Sequence, residues 1–123
     1  MKLRCQSNSI RLRLKRGEVA HLAETGRIEE TIVFPEGTLR YVIEALPVPV
    51  PQASFREGIV TVCLPAETVH RWAAGNEVGI EADQPLPGGA SLRILVEKDF
   101  ACLDAGGEQN ADTFPNPLAG TKC

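Results

Sequence analysis

A pattern of strand, strand, helix, strand and strand occurs twice in this chain, and the two copies are offset by 50 residues. Alternating apolar and polar residues indicate the strands, and apolar residues three and four apart indicate the helices. The matched apolar positions are Leu12 and Val62, Leu14 and Leu64, Val19 and Val69, Leu22 and Trp72, Ala23 and Ala73, and Ile28 and Val78. The shared spacing favours a repeated unit, and chance matching of two amphipathic patterns is the alternative.

The boundaries of the predicted elements follow from this periodicity and from turn residues. Each predicted helix is followed by a glycine, Gly26 or Gly75, and Pro65 stands where the second helix should begin. Strands are predicted over residues 2–5, 10–14, 27–34, 39–46, 53–56, 59–64, 77–82 and 91–98, and helices over 16–24 and 66–74.

Length and composition favour one β-rich α+β domain. The chain has 123 residues, of which 43% are hydrophobic, and this is enough to bury a core without metal or disulfide support. We predict a domain over residues 1–98 made of two ββαββ halves, 1–46 and 53–98, which the proline-rich connector 47–52 joins. We expect a pseudo-twofold β-barrel or closed sandwich of about eight strands with two short helices, because closure hides edge strands. Residues 99–123 are predicted to be an acidic, partly ordered tail, with Phe114 docked on the domain.

The sequence also predicts a cytoplasmic protein. No stretch approaches the roughly 20 apolar residues of a membrane span, and the N-terminus lacks the apolar region of a signal peptide. The four cysteines lie far apart, so free thiols are expected, with disulfide pairing as the alternative. They are Cys5, Cys63, Cys102 and Cys123.

Charge is distributed unevenly along the chain. Residues 1–16 carry six of the 13 basic residues and no acid, whereas the rest of the chain carries the other seven against all 16 acids. If the first two strands pair antiparallel, four of these cations share one outward face. We call this group, Lys2, Arg4, Arg11 and Arg13, the basic strip.

Like charges on neighbouring strands are destabilising, so the basic strip is expected to have an anionic neighbour. One interpretation is neutralisation by the chain itself, through Glu29 and Glu30 or through the acidic tail. The other is a binding site for an anionic small molecule or an acidic protein, because arginine suits planar oxyanion recognition. Nucleic acid is not favoured, since the net charge is −3.

No motif predicts a catalytic centre or a cofactor. Strand acids could converge inside a barrel as a divalent-metal site, but their spacing fits solvated strand faces better. These acids are Glu29, Glu30, Glu44, Glu81, Glu97 and Asp99. His21 and His70 each lie one residue off an apolar helix stripe, as surface residues do, and neither has the spacing of a zinc ligand.

Both ends of the chain carry strings that resemble a small family of stand-alone bacterial proteins of uncharacterised function. At the N-terminus these are Met1-Lys2-Leu3-Arg4 and Asn8-Ser9-Ile10-Arg11-Leu12-Arg13. Towards the C-terminus they are Val96-Glu97-Lys98-Asp99-Phe100-Ala101-Cys102-Leu103 and Phe114-Pro115-Asn116-Pro117. The resemblance implies a free-standing bacterial domain and no particular activity.

Two further resemblances concern parts of the chain. The segment from Ile59 to Ile80, with Glu77-Val78-Gly79-Ile80 after its helix, is similar to the half-barrel of AbrB-type DNA-binding proteins. The plan of eight strands and two helices is similar to that of CYTH-type triphosphate tunnel enzymes, whose opening Glu-x-Glu-x-Lys motif is replaced here by Lys2-Leu3-Arg4-Cys5. The residues favour a non-catalytic binding domain, with a metal-dependent phosphohydrolase or an AbrB-like DNA-binding regulator as alternatives.

Overall fold

The computed structural model describes residues 1–100 and Phe114, and its elements follow the predicted order. The helices are α1 (Arg16–Thr25) and α2 (Ala66–Ala74), and a short 3₁₀ turn covers Pro87–Gly89. The strands are β1 (Lys2–Gln6), β2 (Ser9–Leu14), β3 (Arg27–Phe34), β4 (Gly37–Leu46), β5 (Gln52–Arg56), β6 (Ile59–Pro65), β7 (Gly79–Pro85) and β8 (Ser91–Lys98).

One boundary differs from the prediction in a way that changes the repeat. Strand β7 begins at Gly79 rather than at Glu77, and residues 75–78 connect it to α2. Trp72 Nε1 donates a hydrogen bond to the Val78 carbonyl at 3.2 Å, and Arg71 Nε donates one to Glu77 at 3.2 Å. The counterpart of β3 is therefore displaced by two residues from the 50-residue offset.

The strands form two four-stranded mixed sheets. The first sheet has the order β1-β2-β8-β7, and the second sheet has the order β3-β4-β6-β5. In each sheet two antiparallel hairpins meet at a central parallel pair, β2 with β8 or β4 with β6. Each sheet therefore takes one hairpin from the first ββαββ unit (β1 to β4) and one from the second (β5 to β8).

The β-rich α+β class is confirmed, whereas the predicted barrel or closed sandwich is not. Within the described residues, neither sheet closes into a barrel, and side chains rather than a strand ladder connect the sheet edges. At one junction the Gln84 side chain of β7 accepts from the Ala53 amide of β5 at 2.7 Å and donates to the Ala53 carbonyl at 3.1 Å. A side-chain amide thus satisfies backbone groups that barrel closure would have satisfied with a neighbouring strand.

At the other junction, between the edge strands β1 and β3, the α-amino group of Met1 connects the start of β1 to α1 and β3. The Met1 ammonium is buried and forms ion pairs with Glu18 of α1 and Glu30 of β3. Glu18 also accepts a hydrogen bond at 2.8 Å from the Lys15 backbone amide, one of the donors that a helix N-terminus leaves unpaired. Tyr41 donates its hydroxyl hydrogen to the Met1 carbonyl at 3.3 Å.

The inner faces of both sheets and both helices share one hydrophobic core. Eight of the twelve matched apolar positions are buried, and they are Leu12, Leu14, Val19, Leu22, Val62, Leu64, Val69 and Trp72. Ala23, Ala73 and Ile28 are partly buried. The predicted match of Ile28 with Val78 is wrong, because Val78 is exposed and Ile80 takes the buried position in β7. Phe114 packs against this core as predicted, and its amide donates to the Asp99 carbonyl at 2.9 Å. The remaining predictions for the tail fall on 101–113 and 115–123, outside the described residues.

No helix in the described part of the chain is long and apolar enough to cross a membrane. Cys5 and Cys63 are free thiols, and Cys102 and Cys123 lie outside the described residues. The proline-rich connector forms no strand between Leu46 and Gln52, because prolines lack the amide hydrogen that a sheet ladder needs.

Candidate functional site

The β1–β2 hairpin places the four side chains of the basic strip on one face. Lys2 lies directly opposite Arg13, and Arg4 lies directly opposite Arg11. Side chains alternate across a strand, so Leu12 and its apolar neighbours point to the core while the cations point outward. The geometry that the sequence predicted for the basic strip is therefore present, and its binding role stays a prediction.

Strands β8 and β7 continue this outer face with acidic side chains. Residues at the same level of neighbouring strands form rows that run across the sheet from β2 to β8 and then to β7. The row of Arg13 continues with Glu97 and Gly79, and the row of Arg11 continues with Leu95 and Glu81. In the row of Ser9, Arg93 is followed by Asp83. We call Glu81, Asp83 and Glu97 the acidic border. The first sheet thus carries a basic half beside a mainly acidic half.

Part of the basic strip is neutralised by acids of the same chain. Arg11 Nε lies 2.9 Å from Glu97 Oε1, and Lys2 Nζ lies 3.1 Å from Asp99 Oδ2. Neither carboxylate oxygen accepts a hydrogen bond of acceptable geometry within the described residues, so both contacts are ion pairs only. Asp99 is the first residue of the predicted acidic tail. The prediction that the tail supplies a neutralising acid is therefore confirmed for Lys2.

The prediction that Glu29 and Glu30 neutralise the basic strip is wrong. Glu29 pairs with Arg27 at 2.7 Å on the second sheet, and Glu30 pairs with the Met1 ammonium. Both acids belong to β3, which joins the other sheet rather than the edge of β1. Among the described residues, no acid lies within 4.0 Å of a charged nitrogen of Arg4 or Arg13.

A small cavity opens beside Arg4 and Arg11, which face each other across the β1–β2 hairpin. Its volume is about 100 Å³, and its lining is Arg4, Gln6, Ser9, Arg11 and Leu95. The Ser9 hydroxyl already donates to the Gln6 carbonyl at 2.5 Å, so the side-chain donors left for a ligand belong to Arg4, Gln6 and Arg11. Such a set of donors suits an oxyanion.

A second cavity lies on the acidic half of the same face. It has a volume of about 370 Å³ and is lined by Glu77, Val78, Gly79, Ile80, Glu81, Leu95 and Glu97. A Cβ atom at Gly79 would lie 2.9 Å from the Val96 carbonyl oxygen and 3.0 Å from Glu97 Cγ. The glycine therefore leaves space that Glu97 needs, and Leu95 separates this cavity from the one beside the arginines.

The strand acids do not come together as a metal site. Within residues 1–100 and at Phe114, no group of three or more histidine, cysteine, aspartate or glutamate side chains could hold an ion. The alternation explains this distribution. Glu29 and Glu44 face outward from the second sheet, Glu30 faces the N-terminus, and Glu81 and Glu97 face outward from the first sheet.

Within the described residues, three titratable side chains outside the basic strip have shifted pKa values. Burial raises the pKa of Tyr41, and the Glu30 and Glu18 carboxylates add to that shift. Burial, together with the Glu44 carboxylate, raises the pKa of the Cys63 thiol. Burial lowers the pKa of Lys98, although Glu77 opposes that shift. The Lys98 ammonium donates to the Gly75 carbonyl at 2.8 Å and lies 5.9 Å from the centre of the Trp72 ring, so it closes the C-terminal end of α2.

Sequence reasoning missed the buried position of Lys98 and the space beside Gly79. Both had a local signal. Ile94, Val96 and Lys98 alternate on the inward face of β8, which predicts an inward lysine. A glycine inside a strand commonly indicates a close approach of neighbouring groups. His21 and His70 are exposed on their helices, as predicted.

The fold and the face define a class: a small β-rich α+β protein of two interleaved ββαββ units with one strongly basic outer strip. The chain belongs to a family of unknown function (DUF7009), whose model matches residues 1–118. This match confirms membership of a small uncharacterised family, which the strings at both ends predicted. Comparisons with curated proteins and with solved structures gave no match.

Proposed function

We propose that this protein is a non-catalytic binding domain whose basic strip takes an anionic ligand or an acidic partner. The observation that carries the proposal is that Arg4 and Arg13 face cations across the hairpin without an acid partner among the described residues. Cross-strand pairs of like charge destabilise a sheet, so the folded protein maintains this arrangement at a cost in free energy. A bound anion relieves that cost.

The chemistry of the basic strip supports an oxyanion rather than an apolar ligand. Arginine presents several N–H donors in a planar fork, which can bind two oxygens of a phosphate or carboxylate at once. Arg4 is exposed and Arg11 is half-buried, so ligand can reach both guanidinium groups from solvent. The cavity between them supplies a place for the oxygens.

Binding can be tested by isothermal titration calorimetry at low ionic strength with inorganic phosphate, adenosine monophosphate and acetate. Arg4→Gln combined with Arg13→Gln should weaken binding by about tenfold or more, because charge-assisted hydrogen bonds contribute roughly 1.5–3 kcal/mol each. The matched control is Arg40→Gln with Arg56→Gln, which removes the same charge from the outer face of the second sheet. Its affinity should stay close to that of the original protein.

Two results would count against the proposal. The first is that none of the three anions binds. The second is that the control variant loses as much affinity as the variant of the basic strip, which would indicate a nonspecific effect of net charge. Circular dichroism on both variants checks that each has kept its fold.

We also propose that the two units arose by internal duplication and form a pseudo-twofold, nearly closed arrangement in a bacterial cytoplasmic protein. Replacing each strand by its counterpart changes the order β1-β2-β8-β7 into β5-β6-β4-β3, which is the second sheet read from its other edge. The free thiols of Cys5 and Cys63 fit a reducing compartment.

The arrangement of the two units predicts fragment complementation. Residues 1–46 and 53–98, expressed as separate chains, should each be largely unfolded and should fold when mixed, because each sheet needs a hairpin from both. Circular dichroism of each fragment and of the mixture measures this. Independent folding of either fragment would contradict the interleaved arrangement.

A further inference from the structure

We infer that the basic strip selects a compact oxyanion, such as a single phosphate group, and discriminates against anionic polymers. The inference rests on the proposed function and adds the class of ligand to it. Its basis is the position of acidic side chains on two sides of the strip, which limits how far a chain of negative charges can extend over the first sheet.

The first boundary lies across the strands. Arg11 is followed in its row by Leu95 and then Glu81, and neighbouring strands are about 4.8 Å apart, so the Glu81 position is about 10 Å from that of Arg11. Glu97 stands beside Arg13 at the nearer distance of one strand. Glu81 and Asp83 share a single cation, Arg93, at 2.7 and 3.0 Å, so this border keeps a net negative charge.

The second boundary lies along the strands. Beyond the row of Lys2 and Arg13, the carboxylate of Asp99 is buried and contacts the Lys2 ammonium. At the opposite end the hairpin turn is neutral, with Asn8 donating its side-chain amide to the Ser91 carbonyl at 2.7 Å. The four cations therefore occupy only two rows, which span about 7 Å along a strand.

Between these boundaries the cavity beside Arg4 and Arg11 has the size of one small group. Its volume of about 100 Å³ is lined by two guanidinium groups and the Gln6 side chain, together with Ser9 and Leu95. Arg11 uses its Nε toward Glu97, and its other N–H donors are available to a ligand. The cavity beside Arg4 and Arg11 therefore has room for one tetrahedral or planar oxyanion.

A nucleic-acid strand places charges too closely for this strip to accept it well. One phosphate follows another about every 3.4 Å of rise along one strand of a duplex, so a bound segment extends past two rows of cations. Where the segment continues across β8 or past the row of Lys2, its next phosphates lie over the acidic border or beside Asp99. A like charge about 10 Å away weakens binding roughly twofold in water for each pair, by Coulomb's law.

The test compares inorganic phosphate with a short single-stranded DNA on the full chain at low ionic strength. Phosphate binding is measured by calorimetry, and DNA binding is measured by fluorescence polarisation. The border variant is Glu81→Gln with Asp83→Asn. Its matched control is Glu24→Gln with Glu36→Gln, which removes two exposed acids outside the first sheet.

The border variant should bind DNA about five- to tenfold more tightly than the original protein, because several phosphates lose a repulsive neighbour. Its affinity for phosphate should rise by a smaller factor of about fourfold or less, since a single negative charge in the cavity gains about twofold from each of the two substituted positions, which lie about 10 Å or more away. The control variant should change both affinities by less than about twofold. If the border variant unfolds, Asp83→Asn alone is the replacement, with a smaller shift in the same direction.

The outcomes separate this inference from the proposed function. Binding of DNA more tightly than phosphate by the original protein, lost with Arg4→Gln and Arg13→Gln, would overturn the selectivity and leave anion binding intact. An equal gain for DNA and phosphate in the border variant would also overturn the selectivity. Failure of both ligands to bind any variant would overturn the selectivity and the anion-binding proposal together.

Discussion

The β1–β2 and β5–β6 hairpins have the same register and very different outer surfaces. In the first hairpin, Lys2 faces Arg13 and Arg4 faces Arg11. At the matching positions of the second, Gln52 faces Cys63 and Ser54 faces Thr61. Both hairpins bury their inner leucines and valines in the same core. The hairpin fold therefore depends on the inner residues and does not require the four outward cations.

The acids beside the two hairpins are more alike than the cations are. Glu97 of β8 lies next to Arg13, and Glu44 of β4 lies next to Cys63. On the first sheet the acid pairs with an arginine, whereas on the second it helps to raise the pKa of a thiol. The difference between the outer faces therefore comes mainly from β1 and β2, which is where the proposed binding site lies.

The largest expected effect tests whether the two units share one core. Trp72→Ala and Leu22→Ala remove fully buried side chains at matching positions of α2 and α1, and each should lower the free energy of unfolding by about 3–5 kcal/mol. Urea denaturation followed by circular dichroism should show a single transition for both variants. Loss of β1 to β4 alone in Leu22→Ala would contradict a shared core.

A smaller effect is expected where a side chain bridges the sheet edges. Gln84→Ala should destabilise the protein by about 1–3 kcal/mol, because it leaves the amide and carbonyl of Ala53 without their partner. The matched control is Gln52→Ala, an exposed glutamine on the outer face of β5, which should change stability very little. Equal midpoints for the two variants in urea would show that the bridge does not contribute.

The repulsion between Arg4 and Arg11 predicts an unfavourable coupling energy of at least a few tenths of a kcal/mol between these two side chains. A double-mutant cycle with Arg4→Ser and Arg11→Thr converts this pair into the Ser54 and Thr61 pair of the second hairpin. The coupling between Arg4 and Arg11 should be unfavourable by roughly 0.2–1 kcal/mol at low salt and should decline as salt is added. A favourable coupling would mean that the strip is already neutralised without a ligand.

The smallest effect concerns the thiol at the position that matches Arg13. Cys63 should be alkylated by iodoacetamide more slowly than the exposed Cys5 at mildly alkaline pH, because burial and Glu44 raise its pKa and less thiolate is present. Glu44→Gln should increase the rate at Cys63 and leave Cys5 unchanged. Mass spectrometry of the labelled peptides distinguishes these cysteines from Cys102 and Cys123.

The raised pKa of Cys63 also predicts how the stability of the protein changes with pH. The folded protein holds the Cys63 proton more tightly than the unfolded chain, whose thiol has the ordinary pKa of 9.0. The contribution of this group to stability is therefore present below that pH and is lost as the pH rises through the folded pKa. Cys63→Ser should reduce the loss of stability on the alkaline side, as urea titrations at several pH values would show.

Local sequence was sufficient for the elements and for the composition of the basic strip. Both helices and all eight strands appear within a few residues of their predicted bounds, because periodicity depends only on neighbours along the chain. Alternation also placed Arg4 and Arg11 on the outward face of a hairpin. The shift of β7 was missed, because four residues, 75–78, connect α2 to β7 where Gly26 alone connects α1 to β3, and periodicity within an element does not measure the length of a connection.

The partners of the strip could not be predicted from those local patterns. Glu29 and Glu30 follow the hairpin in the chain and were the nearest choice, but the acids that pair with Arg11 and Lys2 come from the far end of the domain. Strand β8 reaches β2 through a parallel pairing between positions more than 80 residues apart, Ser9 with Arg93 for example. Long-range pairing depends on burying every apolar face at once, which no short window contains.

The amino-acid sequence alone was enough to predict two ββαββ units, a hydrophobic core made largely of matched positions and one hairpin with four outward cations. Those features come from the alternation of side chains on a strand and from the spacing of apolar residues on a helix. The interleaving of the units into two sheets depends on the packing of the whole chain, and so does the position of Leu95, Glu81 and Glu97 beside the cations. The reason is physical: a strand's own residues set which way its side chains point, and the packing of the whole chain sets which strand lies beside it.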